Sequence, residues 1–265
     1  MEVDILKKRK ITEKDQKSVT KTGFSKIIDW LKDNKVKAAV AGVAVLLLVV
    51  GGTYWAQQNH NQKILDSYSK VSDKTVIKPQ KLAAKPKIYP SDIDSVKMVS
   101  PSELNNYRSK ALADGYGKNY AGYVSVPQIG LYLPILNGVN MYTLALGAAA
   151  YYPTTTSIGG AGNYILAGHN MNTSANVLFS RVPNIKVGQN SQIVLTDKVK
   201  NYYYHVTEKK LVRPYQPVFK GTDTPTSKSV LYNDKTKKQV TLFTCNSNGT
   251  RRWVIVGQYD YEGHH

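Results

Sequence analysis

The chain has 265 residues, 42% of them hydrophobic, which is enough apolar mass for a packed core and excludes wholesale disorder. Lys and Arg number 36 against 18 Asp and Glu, and the net charge of +18 points to a polyanionic neighbour: nucleic acid, anionic lipid or an anionic wall polymer. A single cysteine, Cys245, excludes an intramolecular disulfide and a Cys-rich zinc module. Tyr outnumbers Phe 19 to 4, which fits a β-rich domain better than a helical bundle.

Residues 38–56 (AAVAGVAVLLLVVGGTYWA) carry no charge. As a helix this run spans ~28 Å, about the thickness of a bilayer core. Tyr54 and Trp55 stand at its far end, where interfacial aromatics belong. The 37 residues before it hold ten Lys and one Arg against six acids, a net of +5, and Lys32, Lys35 and Lys37 lie close to the run. The first basic residue after it is Lys63. By the positive-inside rule the N-terminus is cytoplasmic and the rest lies outside. A cleaved signal peptide fits less well, because the basic region and the apolar run are both long and no clean A-x-A site follows. Taking the tail's +5 from +18 leaves +13 on the outer part. Outside the cell, an anionic membrane face or wall polymer replaces nucleic acid as the expected partner.

The organisation expected is a basic cytoplasmic tail (1–37), a transmembrane signal-anchor (38–56), an extracellular stalk (57–104) and a folded outer domain (105–262). The stalk is polar and Lys-rich with scattered Pro79, Pro86 and Pro90, and a helical turn is expected near Lys63–Val71. Residues 101–115 read as a short helix, capped by Ser100 or Ser102 and stopped by Gly115. Beyond Tyr120, β-type runs alternate with turns: Gly122–Val126, Leu131–Leu133, Asn163–Ala167, Ser191–Thr196, Tyr202–Val206, Lys210–Arg213, Gln239–Thr244 and Arg252–Val256. About eight strands of this kind predict a mainly β fold, a closed or nearly closed barrel. Helical material is expected only in the loops around Tyr142–Ala150 and Ala175–Val182.

Cys245 ends an apolar strand and opens into the polar turn Asn-Ser-Asn-Gly-Thr. Strand alternation puts Thr241, Phe243 and Cys245 on one face and Val240, Leu242 and Thr244 on the other. A strand end suits a nucleophile, being firmly held yet reachable. A buried inert thiol is the commoner fate of one cysteine, but a free thiol outside the cell is a liability unless used. A cysteine nucleophile needs a partner for proton transfer. Of five histidines, His169 in Leu166-Ala-Gly-His-Asn170 is the best placed, directly after an apolar strand and among small neighbours. His60, His264 and His265 are in the stalk or terminal, and His205 lies mid-strand. Arg251 and Arg252 open the last strand, and an antiparallel return from Cys245 brings one of them to face the thiol, where it can stabilise an oxyanion.

Thr241-Leu-Phe-Thr-Cys245 resembles the TLxTC signature of the sortases, membrane-anchored transpeptidases of Gram-positive bacteria. Leu166-Ala-Gly-His169 resembles their catalytic-histidine strand, and Arg252-Trp-Val-Ile-Val-Gly257 their catalytic-arginine strand. The stretch from Gly122 to Ile135 (GYVSVPQIGLYLPI) is similar to the family's opening strands. The order His, Cys, Arg and the 76-residue separation of His169 from Cys245 agree with the family as well. The resemblance covers about residues 105–262.

It implies a closed eight-stranded sortase-type barrel with short helices in loops, behind a transmembrane helix and stalk. It implies that Cys245 attacks the Thr–Gly carbonyl of an LPxTG-type sorting signal on a surface protein. Glycine leaves, a thioacyl-enzyme forms, and a peptidoglycan-precursor amine resolves it. His169 is then the acid/base, and Arg252, chosen over Arg251 by its spacing to the β-branched run, holds substrate and oxyanion. The segment from Arg213 to Lys238 corresponds to the family's sorting-signal loop, and Val230, Leu231, Ala167 and Thr244 match positions lining its groove. No cofactor is implied, and no metal site of the calcium-binding kind: residues 147–169 contain no Asp or Glu, and Asp234 is the only acid close after Leu231. An N-terminal Asp-Pro-aromatic lid and a C-terminal span, marks of the pilus type, are not seen, so the chain resembles the class A, housekeeping type. The alternatives are a non-catalytic tethered barrel binding anionic wall polymer, a cysteine hydrolase, and a pilus-type enzyme.

Overall fold

The computed structural model describes residues 34–74, 82–92, 95–151, 156–197, 199–213 and 233–264. The chain divides into two compact units, residues 1–60 and 61–265. A continuous helix, α1 (Lys35–Lys74), belongs to both. Its stretch Lys35–Tyr68 is long and apolar enough to cross a membrane, with Val40 and Val43 through Val50 exposed. A transmembrane helix was expected over 38–56; the helix continues well past it. The helical turn expected near Lys63–Val71 is therefore part of a longer helix. Ile64, Leu65 and Tyr68 recur at helical spacing, are buried, and join the core of the second unit.

Within that second unit, the segment expected to be a stalk packs on its own domain. Ile88 forms a parallel bridge with Asn137, Tyr89 N donates to Asn137 O at 3.0 Å, and Asp92 N to Val139 O at 2.8 Å. The Tyr89 ring stacks on Tyr116 with centroids 3.9 Å apart. A Cβ on Gly138 would stand 2.0 Å from Tyr89 O, so only glycine admits this backbone approach.

Helix α2 (Pro101–Ala113) begins with a full capping box: Ser100 Oγ accepts from Glu103 N, and the Glu103 carboxylate accepts from Ser100 N. Pro101 occupies the first turn, where a missing N–H costs nothing. Ser100 is thus the cap, and left-handed Gly115 (φ 76°) follows the helix end.

The strands are β1 (Gly122–Val126), β2 (Leu131–Asn137), β3 (Ala148–Ala150), β4 (Gly162–Ala167), β5 (Gly188–Thr196), β6 (Lys200–Val212), β7 (Lys238–Cys245) and β8 (Arg252–His264), with helix α3 (Met141–Leu146) between β2 and β3. They close into a barrel in the order β1-β2-β3-β4-β7-β8-β6-β5, with β5 returning to β1. The pairs β2–β3 and β4–β7 are parallel. Alternation fills the interior: Val124, Val126, Leu133, Ile135, Tyr164, Leu166, Ile193, Leu195, Val240, Leu242 and Ile255 form one buried cluster. Ala149, Ile165, Ala167, Phe243, Val254 and Val256 point the other way and form a second apolar cluster outside the barrel. Strand β4 is therefore buried on both faces along its whole length, which fits its apolar run Tyr164–Ala167.

Three local expectations are corrected. The runs Tyr202–Val206 and Lys210–Arg213 are one strand, β6, bulged between Val206 and Glu208, which lets the polar stretch Glu208–Lys210 continue the ladder to β8. The helix expected over Tyr142–Ala150 stops at Leu146, and Ala148–Ala150 pair with β2 instead. A Cβ at Gly147 would lie 2.3 Å from Pro134 O, so glycine is what lets the chain turn tightly from helix to strand. Residues Ala175–Val182 form no α-helix. Phe179 N donates to His169 O, Leu178 bridges Asn170, and only a short 3₁₀ turn, Val182–Asn184, follows around Pro183.

Candidate active site

The site follows from strand register. Strand β7 pairs with β8 so that Cys245 lies opposite Arg252, Phe243 opposite Val254 and Thr241 opposite Val256. The short turn Asn246–Arg251 fixes this pairing: Asn246 N donates to Arg251 O at 3.0 Å, and Arg251 N to Asn246 Oδ1 at 2.9 Å. Strand β4 runs parallel to β7 with Ala167 opposite Phe243. Two residues further on, the same register sets His169 beside Cys245, and the ladder still continues at Gly168, whose N–H donates to Phe243 O at 3.2 Å. Cys245 shares the outward face of Phe243, and Arg252 that of Val254. His169, two residues past the end of β4, thus falls in line with Cys245 at the end of β7 and Arg252 at the start of β8, strands that stand ~4.8 Å apart. The apolar outer face formed by Ala167, Phe243 and Val254 lies directly beside the row.

Each member is held by its neighbours. Thr244 Oγ1 donates to Gly168 O at 2.6 Å, across β7 to the backbone just before the histidine. Phe179 N donates to His169 O at 2.9 Å. Asn170 Nδ2 donates to Cys245 O at 2.8 Å. A Cβ on Gly168 would lie 2.3 Å from the buried Phe179 ring, so the residue before His169 must be glycine for the two segments to touch. Arg252 Nη1 donates to Gly249 O at 2.8 Å and Arg251 O at 3.1 Å, which orients its guanidinium over the turn.

Electrostatics follow from burial. His169 is 5% exposed, and among the described residues its buried Nε2 has no hydrogen-bond partner. Loss of water around the ring pulls its pKa down to about 4, so the imidazole is neutral near pH 7. Burial pushes the Cys245 thiol above its ordinary value, while the Arg252 guanidinium pulls it partway back. The resting pair is a neutral thiol beside a neutral imidazole, with a fixed cation next to the sulfur.

This arrangement has a stability consequence. A histidine whose folded pKa lies below its unfolded value contributes stability above pH 6.5 that is lost as pH falls towards the folded value. By pH 4 the loss from His169 amounts to roughly 3 kcal/mol. Urea unfolding of wild type and His169→Gln at pH 7 and pH 4 checks this. The glutamine variant, which does not titrate, should lose that much less on acidification, and equal losses would refute the assignment.

The sequence-expected residues divide clearly. His169, Cys245 and Arg252 come together, and Ala167 lines the outer face beside them. Thr244 is buried on the face opposite Cys245, with its hydroxyl bonded to Gly168 O. Val230 and Leu231 lie outside the described residues. Arg251 is exposed. His205 pairs with Asp260 on the β6–β8 sheet. Among the described residues no group of three His, Cys, Asp or Glu is placed to hold a metal ion. Asn170, Phe179 and Phe243 were not singled out from sequence. The one available signal was the small-residue approach Ala-Gly before His169, which implies close packing from a partner segment.

Comparison with known proteins bears on the family of the chain. Sortase A of Bacillus anthracis is 31% identical over 219 residues, 81% of this chain and 91% of that protein. Sortase A of Streptococcus agalactiae is 27% identical over 255 residues, 91% of this chain and 88% of that protein. The solved structure of Listeria monocytogenes sortase A aligns with a TM-score of 0.46 at 31% identity, covering 55% of this chain and 90% of that one. A family model described as the Sortase domain matches residues 124–260, from the first barrel strand through the last and across all three members of the row, and on that match the chain belongs to the sortase family.

Proposed function

We propose that this protein is a membrane-anchored cysteine transpeptidase of the class A, housekeeping type. It cleaves LPxTG-type sorting signals between Thr and Gly and joins the surface protein to a peptidoglycan-precursor amine. Membership of the sortase family makes it a cell-wall sorting transpeptidase at the coarser level. The finer reading is carried by one observation: the row His169–Cys245–Arg252 opens onto an apolar outer face built from Ala167, Phe243 and Val254. An apolar, extended peptide laid on that face brings its scissile carbonyl to the sulfur. The names of the similar proteins, each called sortase A, support the class.

The chemistry is two acyl transfers. Cys245 Sγ, as thiolate, attacks the threonine carbonyl. The half-buried Arg252 guanidinium faces the developing oxyanion and supplies a fixed positive charge there. The C–N bond breaks as the glycine nitrogen takes a proton, for which His169 is the nearest group. The thioester that remains is attacked by an amine, which gives a proton back to His169 as sulfur leaves. Because burial keeps both partners neutral at rest, only a small fraction of enzyme holds the thiolate beside a protonated imidazole. Substrate binding beside the row supplies the remaining driving force.

Helix α1 serves as a signal-anchor with the N-terminus in the cytoplasm and the barrel outside, as the basic tail favours. The partners are then surface proteins bearing the signal and the wall amine, with no role for nucleic acid. The test uses the full-length protein in detergent with an LPxTG-type peptide and triglycine. Mass spectrometry should find the acyl group on the Cys245 peptide and, with triglycine, the transpeptidated product with free glycine-leaving peptide. Hydrolysed peptide without amine capture would replace the transpeptidase by a hydrolase, and no adduct at Cys245 across signal variants would overturn both.

A further inference from the structure

The residue following His169 makes a contact for which catalysis as described has no use. Asn170 Nδ2 donates to Cys245 O at 2.8 Å, while Asn170 Oδ1 accepts from Asn172 N at 2.8 Å. The two bonds use opposite ends of one amide, so its orientation is fixed: the nitrogen faces the nucleophile's carbonyl and the oxygen closes a local turn. Asn172 takes the left-handed conformation, at φ 51°, which asparagine tolerates better than most residues. The backbone of Asn170 is held as well, by a bridge to Leu178, which itself sits at φ 49°, a conformation rare and strained for leucine. Met171 N donates to Ser180 Oγ at 2.9 Å. The loop after the histidine is therefore rigidly built around a side chain whose free end grips Cys245.

The need for such a tie is structural. Strand β4 ends at Ala167, so His169 lies beyond the last named pair of the β4–β7 ladder. Strand β7 ends at Cys245. Both reacting groups stand at strand ends, where a ladder frays first. A cross-strand bond from the residue after the histidine to the carbonyl of the cysteine restores one rung where the ladder has stopped.

We infer that Asn170 is a positioning residue that locks the His169 loop to Cys245, so that the ring and the sulfur keep their mutual placement while the acyl group is transferred. This rests on the transpeptidase reading above. The Asn170 amide bonds the Cys245 carbonyl rather than the sulfur, so it acts through the backbone of the nucleophile. A displacement of about 1 Å between reacting groups costs on the order of 10²-fold in rate, so loss of the tie should appear in turnover rather than in peptide binding.

The test compares wild type, Asn170→Asp and Asn170→Ala as full-length protein in detergent. The readouts are kcat and KM for triglycine capture from pH 6 to 9, together with the melting temperature. Aspartate is nearly isosteric and keeps the oxygen that closes the turn, but it presents an acceptor to Cys245 O in place of a donor. Alanine removes both bonds and adds no charge. Both variants should lose about ten- to hundredfold in kcat with KM within about threefold, and alanine should do so at every pH, which separates lost position from the charge that aspartate brings. An Asn170→Asp variant with wild-type kcat would overturn the inference. So would variants that melt earlier yet turn over normally per folded molecule, for the contact would then be structural only. A wild type that forms the Cys245 adduct but shows equal rates in all three proteins overturns the tie alone, whereas a wild type without adduct or capture removes the transpeptidase reading and the tie together.

Discussion

Cys245→Ser should be nearly as inactive as Cys245→Ala, with amine capture reduced by at least about 10⁴-fold in both. The argument rests on the base. A serine hydroxyl is a useful nucleophile only when an adjacent base takes its proton during attack. Burial holds His169 near a pKa of about 4, and among the described residues its Nε2 has no hydrogen-bond partner. It is therefore a weak base, because the same loss of water that lowers its pKa disfavours the imidazolium. A thiol tolerates this because it ionises far more readily, with Arg252 beside it to favour the anion. The check is product formation by mass spectrometry at pH 7 to 9 for the three proteins. Serine activity within tenfold of wild type would mean that His169 is a much stronger base than its burial allows.

Gly168→Ala should cost about 2 kcal/mol of stability and roughly 10²-fold in kcat/KM. The added methyl would fall 2.3 Å from Cγ of the Phe179 ring and 2.5 to 2.7 Å from its neighbours. Phe179 is fully buried in the core, and its N–H is bonded to His169 O, so the ring cannot swing aside without taking the histidine loop with it. The strain enters the peptide that carries Thr244's bond and precedes His169 by one residue. A double-mutant cycle with Phe179→Leu checks the mechanism. Phe179→Leu alone should destabilise, yet it should partly restore Gly168→Ala, giving a coupling energy of about 1 kcal/mol or more. Additive effects would mean that the two residues do not press on one another.

What the sequence disclosed depended on how local the cause was. The pairing of Cys245 with Arg252 is legible because a short polar turn between two apolar runs leaves little choice of register. The placement of His169 is different. It depends on the parallel pairing of β4 with β7, which no spacing reveals, and only the resemblance of motifs brought the histidine to the cysteine. Eight strands were expected and eight are present among the described residues, but with different membership. One expected pair of strands is the single β6, because a bulge lets polar residues continue a ladder. Strand β3 went unseen because Ala148–Ala150 carry no β-branched or aromatic signal and are held extended by their neighbours. The burial of Ile64, Leu65 and Tyr68 was hidden by the polar residues around them, although their spacing is helical. Thr244 shows the reverse case: strand alternation already placed it opposite Cys245, and the structure finds its hydroxyl bound to the histidine strand.

The parallel β4–β7 pair also sets an order in time. The strands are joined by residues 168–237, which include two other strands, so their pairing closes a long loop and cannot form early at low entropic cost. Closing the barrel waits on β7 and β8, the last strands in the chain. A chain still collapsing thus carries its thiol apart from its histidine, even where the local β7–β8 hairpin has already set Arg252 beside it. Acyl-transfer power is acquired in one late step, when the sheet closes, so the unfinished protein has little means of acylating itself or its neighbours.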